Sequence, residues 1–134
     1  MQDRSPSGSL CPYYYMGGEL HPLKYGSCHK DKAKLLALIA AEEAFILKSS
    51  GRNNRRIWID LYQTALDSQA INALVAHIAN IGEKICKICL VSCPLLARWK
   101  IKRRLRVLDA DIAKQLRFFS DPEDGKKWLV GKRG

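Results

Sequence analysis

Apolar and polar residues recur along the chain with two different periods, and these periods separate helices from strands. Residues 31–48 contain neither Pro nor Gly and place most apolar positions at helical spacing, although Glu42 interrupts the apolar face. The clearest amphipathic pattern covers residues 71–78, whose large aliphatic side chains recur every three or four residues. A third helix is predicted over residues 94–108, with Pro94 in its first turn, where proline is tolerated.

Short apolar runs between these helices predict buried strands. Residues 55–62, 83–92 and 115–119 are rich in β-branched or aromatic side chains and are bounded by turn-forming residues. The tyrosine-rich segment at 10–27 predicts an edge strand and a turn, because Pro12 and the Gly17-Gly18 pair interrupt it. A final short helix should follow Asp121, which is suited to cap it.

The alternation of helices and strands determines the expected fold class. Loops this short cannot return the chain across a sheet unless the helices make the connection, so the sheet should be mostly parallel. We expect a single-domain α/β fold with about four strands and helices packed on them, formed by residues 17–134. Residues 1–16 should form a flexible tail and a possible edge strand, because their first part is polar and aperiodic.

Charge, apolar run length and cysteine content limit the kinds of protein that this chain can be. The chain carries a formal net charge of +10, and residues 98–134 hold twelve Lys and Arg against five Asp and Glu. The longest apolar run, residues 35–41, is far shorter than the roughly 20 residues that span a bilayer, so no membrane segment is expected. Five cysteines without a secretory signal argue against a disulfide framework and favour a cytoplasmic location.

Residues that bind metals or catalyse reactions form no recognisable site in the sequence. Cys86 and Cys89 have the Cys-x-x-Cys spacing, but their odd separation in a strand directs them to opposite faces. No nucleophile elbow, zinc-protease or phosphate-loop motif is present. We therefore expect no metal, no cofactor and no enzymatic activity. Cys93 is the thiol to note, because it precedes a helix whose dipole would lower its pKa.

The densest basic segment is "RWKIKRRLR" at 98–106, which has six cations in nine residues. Helical spacing places Leu95 and Trp99 on one side, so Trp99 is expected to anchor this helix to the sheet. Three interpretations of the basic side remain: a solvated face, a surface for an acidic protein or anionic ligand, and, least favoured, nucleic-acid binding. The candidate basic contact surface consists of Arg98, Lys102, Arg103 and Arg106.

The Asp67-Ser68 pair lies between a predicted strand and the best amphipathic helix. An Asp or Ser in this position accepts hydrogen bonds from free N–H groups of the first helical turn, so an N-cap is expected. The same position, at the carboxyl edge of a parallel sheet, is also where open α/β folds bind ligands and where a phosphate would be favoured. The residues alone allow both roles.

The order and spacing of these elements resemble those of a known domain family. The residues that carry the resemblance are "GEL" at 18–20, "IWIDL", the Asp67-Ser68 pair with its helix, "IGEKICKICLVSC" and the ending "RFFSDPEDGKKWLV". Together they resemble the STAS domain family, the fold of sulfate-transporter domains and anti-sigma-factor antagonists, and the ending is similar to stand-alone bacterial members. The resemblance covers roughly residues 17–130 and implies a binding module rather than an enzyme.

In anti-sigma-factor antagonists of this family, a partner kinase phosphorylates the first serine of an Asp-Ser-Ser-Gly motif. The resemblance therefore makes Ser68 the phosphorylation candidate and assigns Asp60, Asp67 and Gln69 to the switch loop. Gln69 and Ala70 replace the Ser-Gly of the family motif, so the full phosphorylation motif is lacking. The expected function is regulation through a protein partner. The alternative is a sensor that binds a nucleotide, lipid or other anion near Ser68 and Cys93.

Overall fold

The computed structural model describes residues 3–11, 13–49 and 55–131, which form seven strands and five α-helices. The strands are β1 (Asp3–Arg4), β2 (Leu10–Cys11), β3 (Tyr13–Tyr15), β4 (Gly18–Lys24), β5 (Arg55–Asp60), β6 (Ile85–Val91) and β7 (Leu116–Phe119). The helices are α1 (Lys32–Leu47), α2 (Ser68–Asn80), α3 (Leu95–Leu108), α4 (Ala110–Gln115) and α5 (Pro122–Val130), and a 3₁₀ turn covers Gly82–Lys84.

Five of the strands form one sheet in the order β3-β4-β5-β6-β7. β3 and β4 form an antiparallel hairpin, and the other three neighbouring pairs are parallel. Because the parallel strands lie in chain order, crossovers of one hand place all the connecting helices on the same face. The predicted α/β class is confirmed, with helices packed on a mostly parallel sheet that has five strands rather than about four.

β4 lies inside this sheet although it contains a proline, and the edge strand predicted from the tyrosine-rich segment is β3, which forms one edge of the sheet. Pro22 pairs with Trp58 of β5. Its carbonyl accepts a hydrogen bond from Ser9 Oγ at 2.7 Å, on the side away from β5. A strand residue directs its N and C=O to the same side, so the missing N–H also lies there, beyond the end of β3. No ladder hydrogen bond is lost, and proline is tolerated.

The side chains of the sheet alternate between two apolar layers. Ile57 and Ile59 of β5 face the larger layer under α1–α4, whereas Trp58 between them faces the smaller layer under α5. α5 approaches the sheet closely, because a Cβ atom at Gly125 would lie 3.0 Å from Val91 Cγ1. One long helical layer and one short helix therefore cover the two faces.

Most predicted helices and strands are present with small shifts at their ends. Pro94 is the N-cap of α3 rather than its first residue. Asp121 caps α5 as predicted, because its Oδ1 accepts a hydrogen bond from the Glu123 N–H at 2.9 Å. The six-residue helix α4 is too short to show a period, although Asp109 caps it. Within the described ranges, no helix has the length and apolarity needed to cross a bilayer.

Residues 3–11, named here the N-terminal strap, contain two short strands, whereas the sequence predicts a flexible tail there. β1 and β2 pair as a small antiparallel sheet. Ser9 Oγ donates to Pro22, and the Lys24 N–H donates to Ser7 Oγ at 3.0 Å. The strap thereby covers the open edge of β4. Its polar composition resembles that of a disordered segment, but its serines bond to groups that are distant in the chain.

Glu42, which interrupts the apolar face of α1, is fully buried. Its Oε2 accepts hydrogen bonds from Ser5 Oγ at 2.7 Å, from the Ser7 N–H at 2.9 Å and from the Ser7 hydroxyl. Its Oε1 faces Nε2 of buried His21 at 3.4 Å. Burial by itself raises the pKa of Glu42, but His21, Ser7 and Ser5 together outweigh burial and hold the pKa below its usual value.

Glu42→Gln should lower the free energy of unfolding by about 1–3 kcal/mol at neutral pH, because charge-assisted hydrogen bonds to a buried acceptor are lost. The pKa of Glu42 is lower in the folded protein than in the unfolded chain. Its contribution is therefore complete above the ordinary Glu pKa of about 4.3 and is lost as the pH falls through the folded value. Urea denaturation from about pH 6 to about pH 3 should show a steeper loss in the wild type than in E42Q.

Glu19→Gln is the matched control, because Glu19 is an exposed carboxylate on β4. Its urea denaturation should coincide with that of the wild type at each pH. If E42Q also coincided with the wild type at neutral pH, the buried carboxylate would not be what holds the strap in place.

Candidate functional site

Asp67 and Ser68 lie where the sequence analysis expected a helix to begin. Asp67 Oδ1 accepts a hydrogen bond from the Ala70 N–H at 2.9 Å, which confirms the predicted N-cap. Asp67 Oδ2 lies 2.5 Å from Lys32 Nζ, which also donates to Gln69 Oε1 at 3.1 Å. Lys32 and then the Ala70 N–H hold the pKa of Asp67 below its usual range. Ser68 is exposed beside this cluster.

The loop between β5 and α2 is fixed by the neighbouring loop that follows β4. The Ser27 N–H donates to Tyr62 O at 2.6 Å, and the His29 N–H donates to Gln63 O at 2.8 Å. Ser27, His29 and Gln63 have φ values of 61°, 51° and 55°, a conformation that surrounding contacts must enforce. Asp60 Oδ1 accepts a hydrogen bond from the Tyr62 N–H at 3.0 Å. Asp60 thus shapes the loop that positions Ser68.

A cavity of about 330 Å³ lies beside this loop, at the start of α1. Asp31 and Asp67 both line it, and each also caps a helix. Lys30 and Lys32 line it as well, so its lining holds two cations beside the two carboxylates, and the Lys32 ammonium is already paired with Asp67. The cavity therefore carries no excess of positive charge that would select an anion.

Cys89 and Cys93 lack the features of a reactive thiol. Cys93 precedes α3 as expected, but its side chain is only 3% exposed. Burial raises the pKa of its thiol to about 11, and nearby Arg98 only partly opposes this. Burial likewise raises the pKa of Cys89 to about 12. Among the residues that the structure describes, no three or more His, Cys, Asp or Glu side chains are grouped so that they could hold a metal ion.

Three polar side chains, of which Tyr25 and His77 are buried and Glu43 is partly exposed, link the end of β4 to α2 and α1. The Tyr25 hydroxyl lies 2.9 Å from His77 Nε2, and His77 Nδ1 lies 3.0 Å from Glu43 Oε1. Burial lowers the pKa of His77 although Glu43 opposes it, and burial also raises the pKa of Tyr25. Tyr25 is 0% exposed, so a substrate cannot reach its hydroxyl. We interpret these contacts as a structural connection.

The structure divides the four predicted basic contact residues into two pairs. Arg98 Nε donates to Cys93 O at 2.8 Å, and Lys102 Nζ donates to Leu116 O at 2.6 Å. These two cations therefore hold α3 to the adjoining backbone. Arg103 and Arg106 are exposed and are directed away from the core. Only the second pair is free to contact another molecule through its charged end.

The predicted anchoring role of Trp99 is wrong. Trp99 is 57% exposed, and α3 instead buries Ala97, Ile101 and Leu105, which recur every four residues. Both sides of this helix carry apolar residues, so periodicity could not determine which side is buried. The small side chain of Ala97 lies on the side that packs against the core.

Exposed apolar and cationic side chains lie together on the side of α3 that is turned away from the core. Trp99 stacks with the Arg103 guanidinium, whose carbon lies 5.2 Å from the ring centroid. Leu95 and Leu96 are 79% and 64% exposed in the first turn. Clustered exposure of large apolar side chains is typical of an interaction site. We define the outer face of α3 as Leu95, Leu96, Trp99, Arg103, Arg106 and Val107.

A groove of about 190 Å³ adjoins this face, between the loop before α2 and the first turn of α3. It is smaller than the roughly 300–1,000 Å³ of most small-molecule pockets. Its apolar walls suit one side chain of a protein partner. The groove is lined by Leu66, Ile71, Pro94, Leu96, Ala97 and Lys100.

Contacts between α2 and α3 bring Ser68 and the outer face of α3 into one surface. Arg104 Nη1 donates to Asn72 Oδ1 at 2.7 Å. Asn72 lies four residues after Ser68, and residues at this spacing share a side of a helix. The surface around Ser68 thus continues across Asn72 to Arg104 of α3.

Four residues of this surface are not predicted from the sequence: Leu66, Leu96, Lys100 and Arg104. The sequence contains one indication of an exposed apolar face, because α3 has more large apolar residues than one buried side requires. The groove could not be inferred, because its walls come from segments that meet only in the folded chain.

Comparison with known proteins gives no further assignment. The chain matches no family model, no curated protein and no solved structure. The function must therefore be argued from the surface itself.

The cap at Asp67 yields a test of the local structure. Asp67→Ala should lower the free energy of unfolding, because the Ala70 N–H loses its acceptor. Asp67→Asn should retain most of the stability, because an amide oxygen can accept the same hydrogen bond and the exposed ion pair with Lys32 contributes little. Urea denaturation at neutral pH should rank the wild type first, D67N second and D67A last. Equal losses in both variants would assign the effect to the ion pair.

Proposed function

We propose that the protein is a non-enzymatic regulatory domain that binds another protein through Ser68, the groove and the outer face of α3. The observation that carries this proposal is the exposure of Leu95, Leu96 and Trp99 beside the groove. Exposing three large apolar side chains to water in one helical turn is unfavourable, and a partner would relieve this cost.

The composition of the surface favours a protein partner. Trp and Arg are the residues most enriched among those that dominate binding energy at protein interfaces, and Trp99 and Arg103 stack on each other here. The groove offers space for one side chain. A partner can therefore combine a broad contact with a single inserted side chain.

The chemistry of the buried titratable groups supports a binding role without catalysis. The hydroxyl of Tyr25 and the imidazole of His77 have no access to solvent. The raised pKa of the Cys93 thiol leaves it protonated at neutral pH and therefore a weak nucleophile. These groups stabilise the fold in our interpretation and do not act on a substrate.

The resemblance to STAS domains supports a regulatory role for Ser68. The serine is exposed at the first position of α2, where the helix dipole favours a phosphate. Lys32 lies close enough to Asp67 and Gln69 to approach such a phosphate, whereas the Asp67 carboxylate would repel it. A phosphate at Ser68 would thus change the charge of the proposed contact surface.

Partner binding can be tested by affinity capture from the native host. Leu96→Ser and Trp99→Ala should each greatly reduce the amount of a specific captured protein, because each removes an exposed apolar contact. Leu47→Ala is the matched control, since Leu47 is 44% exposed on α1. Quantitative mass spectrometry of the eluates measures the effect. Equal capture by all four proteins would refute the proposed surface, and release of the captured material by nuclease would favour nucleic-acid binding.

Regulation at Ser68 can be tested by intact-protein mass measurement after co-expression with serine kinases of the host. A regulatory Ser68 should carry a single phosphate that is absent from Ser68→Ala. Ser68→Asp should then alter capture of the partner, whereas Ser68→Ala should not. An unmodified Ser68 together with normal capture by Ser68→Asp would refute the switch and leave the interaction surface in place.

A further inference from the structure

The outer face of α3 has the residue spacing of a helix-pairing seam. Leu96, Trp99, Arg103 and Arg106 follow one another at intervals of three, four and three residues, so they lie along one line. All four side chains are exposed. The line extends over about 15 Å of helix, which corresponds to nearly three helical turns. A second helix could follow it along this whole length.

The two halves of this line differ in chemistry. Leu96 and Trp99 are apolar, whereas Arg103 and Arg106 are cationic, and α3 contains no Asp or Glu. In the part of the chain that the structure describes, no carboxylate forms an ion pair with Arg103, Arg106 or Lys100. Like charges in neighbouring helical turns repel one another. Carboxylates of a partner would relieve this repulsion.

The groove and one cation of the line are already arranged for binding. Arg103 is held over the ring of Trp99, and Arg104, beside the line, is held by Asn72 of α2. Side chains fixed before binding lose less conformational entropy when the complex forms. The groove beside Leu96 would accept one apolar side chain at the N-terminal end of the line.

The same arrangement favours a facing helix over a lipid surface. A helix that lies in a bilayer interface separates its apolar side from a flanking cationic side. In α3 the cations Arg103 and Arg106 continue the line of Leu96 and Trp99 instead of flanking it. Insertion along this line would bury the guanidinium groups, whereas a facing helix can place a carboxylate opposite each of them.

We infer that the partner presents an acidic amphipathic helix that lies along α3, with an apolar side chain in the groove beside Leu96 and carboxylates facing Arg103 and Arg106. This inference rests on the proposed function, because it specifies the partner of the same surface. It adds the chemistry and the secondary structure of that partner.

A synthetic helical peptide tests this inference with the full-length protein. The peptide has Leu at its first two seam positions, Glu at its next two and Glu on its flanks, and the control peptide has the same composition in scrambled order. Fluorescence anisotropy should show saturable binding of the patterned peptide and at least roughly tenfold weaker binding of the scrambled one. Similar affinities for both peptides would overturn the inference, because binding would then depend on charge alone.

Charge reversal tests the register of the proposed contact. The double variant Arg103→Glu, Arg106→Glu should bind the patterned peptide at least roughly tenfold more weakly. A peptide with Lys in place of the two seam Glu residues should recover most of the lost affinity. Lys114→Glu, an exposed reversal on α4, is the control and should leave the affinity unchanged. Failure of the Lys peptide to rescue the double variant would contradict the facing carboxylates.

Two further measurements separate this inference from its alternatives. Vesicles of phosphatidylglycerol and phosphatidylcholine should bind the protein more weakly than the peptide does. If vesicles bound in a manner that required Trp99 while the peptide did not bind, a lipid surface would be favoured. Capture of a host protein could depend on Leu96 and Trp99 but not on Arg103 and Arg106. This result would agree with the proposed function and refute the acidic helix. Peptide binding without any Trp99-dependent host protein would refute the proposed function instead.

Discussion

The strands β4 to β7 lie in the sheet in the same order as in the chain, and this order fixes where the helices lie. Each parallel strand from β4 to β7 lies beside the next strand of the chain, so every connection must cross over through a helix. Crossovers of one hand place α1 to α4 in a single layer, and α5 is left to cover the opposite face. The same geometry places the starts of α2 and α3 next to each other, because β5 and β6 are neighbours in the sheet.

This arrangement explains why α3 has an exposed apolar side. α3 packs against α2 and against the six-residue helix α4, and its buried side needs only Ala97, Ile101 and Leu105. Each of its remaining large apolar residues is more than half exposed. Two inward cations, Arg98 and Lys102, hold the helix in place through backbone carbonyls. The helix is thereby held firmly while its outer face stays available.

Buried polar groups impose a second constraint, which joins distant parts of the chain. Glu42 of α1 binds the N-terminal strap through Ser5, and His77 of α2 binds Tyr25 at the end of β4. A buried carboxylate or imidazole without such partners would be strongly unfavourable. These contacts therefore specify how the strap, α1 and α2 meet, in addition to the apolar packing that drives folding.

Local sequence patterns predict the α/β class, most of the helices and strands, and the caps Asp67 and Asp121, because periodicity and capping act over a few residues. Long-range packing brought Glu42 to Ser5, which lies 37 residues away, and left Trp99 exposed. It also buried Cys93, whose thiol the local sequence had indicated to be activated. Burial depends on which segments of the chain meet across the sheet. A helix with apolar residues on two sides does not specify which of the two sides those segments cover.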